Sequence, residues 1–568
     1  NAGPGQVPHS KPFEVKLLGP FDRPSMAALR ENPVKASNIT AGIHVYGEPH
    51  FGMPFFPGKI VSDSENAPAL PPAPEALLPP NAPAATAAVP PTEGLPDWEP
   101  LTPELVEDEA IRGDFMLRWA VVLLALLIGC RQIVETTTLV HVKTGRYLAA
   151  HGFWPPSKDV FSSTASEHRW INLSWLWDLI ASGFFAIGQG VGLSLATALF
   201  VAMTWWLLGK TSRANVSNWW GSILGVLSLL ASHPRFSGQP ETVTLLGLAA
   251  TLWCFHAWRS SQETTSSSSV IAEASRPVSL WWLVPGFALW SNLDPRMFLG
   301  LLLLLLWGLG ELLGSTLGRS GMSDAQRKHY WKVLRMCVMA SVLNPFGGHS
   351  LSSPMELYGT EYPAWRGYVA TASGWESTGV LSLWNASLWN SGLGRLPLIA
   401  GLLVLFSALV SLALNARRSN LGDWLALAGF VGLASIASHE LAAASIVACV
   451  VGTLNAQQWY QAKFRQTYSI ERGELLFTRG GRAVTVLAFF ALAVMSVNQM
   501  LFGADGKRVG LGLSNRLQAL ITAYRSASEN SFDDRPFNFV PQQGDVLLWV
   551  DQKPFMDSRL AVFTGRGK

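Results

Sequence analysis

"LSWLWDLIASGFFAIGQ", residues 173–189, decides how the rest of the chain is threaded. It is apolar enough to cross a bilayer, so counting it as a span reverses the side of every later loop. Eleven other apolar runs approach the length a spanning helix needs, roughly 20 residues and fewer where flanking groups snorkel. They are 115–134, 190–208, 219–233, 242–258, 279–293, 298–316, 333–346, 396–415, 423–437, 438–457 and 482–501. With 173–189 laid on the membrane surface, the loops between these runs fall into two classes. One holds 209–218 (Lys210, Arg213), 259–278 (Arg259, Arg276), 317–332 (Arg319, Arg327, Lys328, Lys332), 416–422 (Arg417, Arg418) and 458–481 (Lys463, Arg465, Arg472, Arg479). The other, 234–241, 294–297 and 347–395, is poorer in Lys and Arg for its length. Basic loops stay in the cytoplasm. The sequence therefore predicts a multi-pass inner (cytoplasmic) membrane protein with its N-terminus cytoplasmic and its C-terminus extracytoplasmic. The glycine-rich "AIGQGVG", Ala186–Gly192, reads as the bend between surface helix and span.

Composition agrees. The 568 residues are 49% hydrophobic and only 14% charged, and 24 of them are Trp, whose indole favours the membrane–water interface. A net charge of +3 gives no electrostatic case for nucleic acid. Cys130, Cys254, Cys337 and Cys449 each fall in an apolar run without CxxC spacing, and read as buried thiols rather than disulfides or zinc ligands. Residues 1–62 form a polar cytoplasmic arm. Residues 63–114 are a Pro/Ala-rich linker with an acidic lead-in, a composition that favours extended chain and builds no core. Residues 115–501 are the transmembrane domain, with a first outer loop over 135–189. Residues 502–568 are an outer segment in which "DVLLWV" and "RLAVFTG" read as short strands beside a helix. Asn1 in place of Met, and an end soon after "RLAVFTG", lead us to expect a piece of a longer chain. The fold class is thus an all-α polytopic membrane protein of about eleven spans with a small α/β C-terminal segment.

The polar residues beside the membrane gather on one side. Glu135 and His141 follow the first span, and His233 and Arg235 end the third. Asn292, Asp294 and Arg296 join the fifth to the sixth, Asn344 and His349 leave the seventh, and His439 and Glu440 join the ninth to the tenth. Mid-span charge is almost absent, as its cost demands; Glu311 lies near an inner helix end, where we expect it to reach the interface. Either these groups are solvated loop residues, or they surround a pocket at the outer face. There, carboxylate or imidazole would act as a base, and Arg or Lys would hold a phosphorylated lipid. Five such junctions on one side keep both readings open. The first outer loop, with Lys143, Arg146, Lys158 and Arg169, breaks the charge bias, and an anionic ligand is one candidate reason. No HExxH or DxD motif is present, and Asp533–Asp534 reads as a solvated turn, so no metal ligands are assigned.

"HVKTGRYLAAHGFWPPSKDVFSSTASEHRWINLSWLWDLI" (141–180) resembles the first outer loop of GT-C-type membrane glycosyltransferases, especially the bacterial dolichyl/undecaprenyl-phosphate-mannose-transferase-like group. His141, Thr144, Gly145, Gly152, Asp159, Phe161, Ser162, Thr164, Trp170, Trp175 and Leu176 keep its pattern. "LWSNLDPRMFLG", "NPFG" and "GDVLLWV…PFMDSR" match later pieces in the right order. The resemblance implies transfer of a sugar from a polyprenyl-phosphate donor, bound with membrane lipid, to an acceptor outside the membrane. It implies Glu135 as catalytic base with Asp159 second, contacts to phosphate or sugar from His141, Arg146, Arg235, Asp294 and His439, and compatibility with a divalent metal. It also departs from the group: Thr137 stands where a second acid is expected, Leu139 and Val140 where a Trp pair is, and Asp294 where a His is. A catalytically degenerate scaffold on the same fold, with protein partners for its N-terminal arm or C-terminal segment, is the competing expectation; a lipid flippase or transporter is a weaker third.

Overall fold

A computed structural model describes residues 102–213, 216–266, 278–318, 321–357, 395–463, 479–501, 508–530 and 536–563. The arm 1–62, the linker up to residue 101, most of the loop 347–395 and the pair Asp533–Asp534 lie outside the described residues.

Over the described residues the protein is all-α. Its only extended pairing there is three isolated bridges, Arg131 to Val509, Ile133 to Leu513 and Lys158 to Arg169. The helices are α1 (Pro103–Gly129), α2 (Thr137–Ala150), α3 (Trp175–Lys210), α4 (Trp219–Ser232), α5 (Glu241–Ser266), α6 (Leu283–Leu293), α7 (Phe298–Thr316), α8 (Asp324–Ala340), α9 (His349–Leu357), α10 (Arg395–Leu414), α11 (Leu421–Ile436), α12 (Leu441–Lys463), α13 (Gly481–Val497), α14 (Asn515–Asn530), α15 (Pro541–Trp549) and α16 (Leu560–Phe563). Local chemistry starts several of them. Thr102 caps α1 ahead of Pro103, Ser323 and Gln326 form a reciprocal capping box on α8, and Asn420 caps α11.

Each of the eleven apolar runs lies wholly or largely in a helix. Among the described residues, four helices are long and apolar enough to cross a membrane: Trp175–Lys210, Pro295–Thr316, Leu396–Leu414 and Ser438–Lys463. The others are short or carry charge. The 14 residues of α4 reach only ~21 Å along the axis, less than a hydrocarbon core of about 30 Å. The last of the four is the hub. Leu441 through Thr453 are all buried, as expected of a helix apolar on every face. Its small residues admit close neighbours: a Cβ on Gly452 would stand 3.1 Å from the Ala408 Cα of α10.

Most of residues 173–189 form the first arm of α3, which starts at Trp175. The helix breaks at Gly188 and Gln189, where Gln189 takes a left-handed φ of 49°, so the bend falls inside the glycine-rich stretch that the sequence marked for it. Unbent, 36 residues would extend ~54 Å, well beyond one bilayer core. The first arm packs on α2. A Cβ on Gly145 would stand 1.9 Å from the Asp178 carbonyl, which is why position 145 carries no side chain.

Two expectations are corrected. The stretches read as strands are helical: "DVLLWV" lies mainly in α15 and "RLAVFTG" begins with α16. A short apolar run does not distinguish strand from buried helix. Here Pro541 sits in the first helical turn, and Val546, Leu547 and Leu548 are all buried. Leu548 packs with Phe161 and Trp170 of the first loop, and Val546 with Trp177 and Phe185 of the α3 arm. Nor does Glu311 reach an interface. It is 1% exposed and pairs with Arg259 at 3.0 Å, while Asn420 and the Gly321 N–H also bond it. A buried carboxylate so placed needs that cation.

The α7–α11 contact is a close helix approach with a simple test. A Cβ on Gly310 would stand 2.2 Å from both the Cα and N of Gly422. Gly310→Ala must push the helices apart, and overpacking of this kind costs about 1–3 kcal/mol. We expect a lower thermal midpoint for purified Gly310→Ala; an unchanged midpoint would refute the tight crossing.

Candidate functional site

At the end of the bundle where α1 finishes, three helix junctions converge. The 3-10 turn His233–Arg235 after α4 faces the start of α5, the turn Pro295–Met297 links α6 to α7, and the turn Ser438–Glu440 links α11 to α12. They enclose a cleft of about 290 Å³, open mouth included, lined by Arg235, Glu241, Thr244, Arg296, His439 and Glu440 with apolar Leu245, Leu299, Ala442 and Ala443. Glu241 bridges two guanidinium groups, Arg235 at 3.3 Å and Arg296 more closely. His439 Nε2 stands 3.2 Å from Glu440 Oε1, and both side chains are almost fully buried. Asp294 caps the second turn by accepting from the Arg296 N–H (3.1 Å). It also accepts from Thr244 Oγ1 (2.7 Å), whose hydroxyl in turn accepts from Trp290 Nε1. Asp294 thus orients one wall rather than lining the cleft itself.

The segment between α1 and α2 runs beside this cleft. Arg131 Nη1 donates to the His233 carbonyl at 2.7 Å, and the Gln239 amide donates to Thr137 Oγ1. Residues 130–133 are held on their other side by backbone bonds to 508–514. Glu135, half-buried, lies in this segment, two residues before Thr137.

The remaining sequence candidates sit elsewhere. His141 Nδ1 is 2.6 Å from Asp178 Oδ1, and Asn172 donates to the other oxygen of that carboxylate. Arg146 is held over the rings of Phe185 and Trp549, 5.2 and 4.8 Å from their centroids, where the α3 arm meets α15. Asp159 is buried in the joint between the first loop and the C-terminal segment. Its Oδ1 accepts from Arg559 Nη1 at 2.6 Å and from the Phe161 N–H, and its Oδ2 accepts from both the N–H and hydroxyl of Ser162. The same guanidinium grips Asp557 with two nitrogens and lies over Phe161 and Trp170. Burial works to raise the Asp159 pKa, but the Arg559 charge and the bonds from Ser162 and Arg559 outweigh it and hold the carboxyl below its usual range. A carboxylate held so firmly in its ionised form takes up a proton poorly.

A second carboxyl in this joint behaves oppositely. Asp545, fully buried, accepts from Thr136 Oγ1 (2.7 Å) and the Ser558 N–H (2.9 Å). Burial first, and then repulsion from Asp557, push its pKa up to about 6. The unfolded value is ~3.9, so the folded state binds this proton more tightly. Its contribution to stability therefore falls as pH rises from about 4 to about 6, and stays lower above that window. Asp159 has the reverse sign, its contribution fading only as pH drops below about 4. We expect Asp545→Asn, which preserves the bonding to Thr136 and Ser558, to flatten the pH 4–6 slope of thermal stability and raise the midpoint at pH 7. A parallel slope in both proteins would contradict this.

Arg296 and Glu440 are legible in the sequence as junction residues but not as members of one site, and Glu241 stands in no motif. The signal for Glu241 was its place at the start of an apolar helix, one loop after Arg235. His349 begins α9, outside the lining of the cleft. Among the described residues no group of three or more His, Cys, Asp or Glu is arranged to hold a metal ion. No protein-family model matches the chain, and a search of curated proteins gives no significant match.

Proposed function

We propose that the protein spans the cytoplasmic membrane and transfers a sugar from a polyprenyl-phosphate donor at its outer face. The observation that carries this reading is the convergence of three helix junctions, distant in sequence, on one cleft holding two guanidinium groups, two carboxylates and an imidazole. Arg235 and Arg296 are suited to a lipid phosphate, because a guanidinium presents paired donors to its oxygens. Glu135, in the segment alongside, is the base that deprotonates the acceptor hydroxyl. That oxygen then attacks the anomeric carbon, and the lipid phosphate departs with the bonding electrons. His141 and Asp178 support the first loop rather than the reaction, and Asp159 anchors it. The eleven-span threading, with N-terminus inside and C-terminus outside, supplies the orientation.

A second reading has one specific observation in its favour. Both cleft arginines already share Glu241, and Asp159 is committed to Arg559, so the charges are largely satisfied within the protein. A non-catalytic scaffold that keeps the fold would look the same. Purified protein given a polyprenyl-phosphate sugar and a hydroxyl acceptor separates the two. Donor-dependent transfer that disappears in Arg296→Ala supports the enzyme; absence of turnover, with co-purification in a stable complex, supports the scaffold.

A further inference from the structure

At the opposite end of the bundle, α1, the end of α3, the start of α4 and α12 enclose a second cleft of about 380 Å³, open mouth included. Arg118 projects into it across Gly209, whose added Cβ would lie 3.6 Å from the arginine stem. The guanidinium makes no hydrogen bond or ion pair among the described residues, and its Nε is shut away from solvent. The carboxylate one turn earlier on α1 does not serve it. Asp114 is taken by Arg482 at 2.9 Å and by the Asn218 N–H at 2.8 Å. Thr211, Asn218, Ser222 and Thr453 add hydroxyl and amide groups to the wall, while Trp205 and Leu208 form its apolar floor. Exposed Trp119, Trp206 and Trp220 stand nearby on α1, α3 and α4, and Lys210 Nζ lies 3.9 Å from the Trp206 ring centroid. Aromatic and basic residues so grouped are those of a membrane–water interface.

A cation inside a partly dry cleft, without a counter-ion of its own, calls for an anion. We propose that this cleft binds the phosphate of an anionic membrane lipid, with Arg118 as its ligand and the acyl chains along the exposed Met116, Trp119 and Leu123 of α1. A basic pocket between membrane helices is suited to such headgroups. The inference rests on the membrane reading and is independent of sugar transfer.

The test is lipid retention by delipidated, detergent-purified full chain, read by native mass spectrometry. Phosphatidylglycerol and phosphatidylcholine are supplied at equal concentration, with inorganic phosphate as competitor. Wild type is expected to keep phosphatidylglycerol preferentially and to resist displacement by millimolar phosphate. Arg118→Gln, which keeps the first two methylenes of the stem, is expected to weaken that retention by at least about tenfold, the scale of a lost charge-assisted bond. Unchanged retention in Arg118→Gln would overturn the proposal. So would equal retention of the two lipids by wild type, a result that needs no variant to fold. Ready displacement by phosphate alone would assign the cleft to a free anion and overturn the lipid.

Discussion

Replacing Glu135 with Gln is expected to abolish sugar transfer while leaving the fold and donor binding intact. The side chain lies in the short connection between α1 and α2, which is held on one side by the 508–514 backbone and on the other by Arg131 and Gln239. Gln keeps the size and one acceptor oxygen, so the connection should not move. It cannot take a proton from an acceptor hydroxyl, and a positioned base is worth roughly 10²–10⁴-fold in rate. The measurement is initial rate with saturating donor, beside donor binding in the same preparation. Loss of rate by at least two orders of magnitude with binding retained is the expected outcome. Activity within a few-fold of wild type would remove Glu135 from the mechanism, and the second carboxylate expected there is no ready substitute. Asp159 is buried under Arg559.

Arg559→Met is expected to detach the C-terminal segment from the first outer loop. The methionine can still lie between Phe161 and Trp170, but Asp159 and Asp557 are left buried without their cation. Breaking a buried ion pair from one side costs about 3–5 kcal/mol. Thermal unfolding should drop accordingly, and limited proteolysis should cut residues 551–563 faster than in wild type. Adding Asp159→Asn to Arg559→Met should recover part of the loss, because the two groups are directly coupled. If Arg559→Met melts like wild type and resists the protease equally, the joint is not held by this ion-pair cluster.

Much of this architecture is legible in the sequence, and the reasons differ from part to part. Helical runs follow from apolar length, and the break in α3 follows from the glycines around Gln189. The junction residues Arg235, Asp294 and His439 are visible because charge is expensive inside a membrane and therefore concentrates at helix ends. Which of them meet is a tertiary matter, set by the packing of α4, α5, α7 and α12, and no local pattern encodes it. The same holds for Asp159. Its place in a motif of the first loop suggests chemistry, but its ion-pair partner lies 400 residues later at Arg559. So it is for Arg146, whose ring partners are supplied by α3 and α15. The error over "DVLLWV" is of another kind: six apolar-rich residues satisfy strand and buried helix alike, and only the neighbours decide.

The central claim is that the cleft between the three helix junctions receives a lipid-linked phosphate. Its most direct test is photo-crosslinking of the purified full chain with a photoactivatable polyprenyl phosphate, followed by peptide mapping. The account predicts labelling in 235–245, 294–299 and 439–443, competed by unmodified polyprenyl phosphate and weakened in Arg296→Ala. Labelling confined to other surfaces, or labelling of these segments that neither competitor nor substitution reduces, would contradict it.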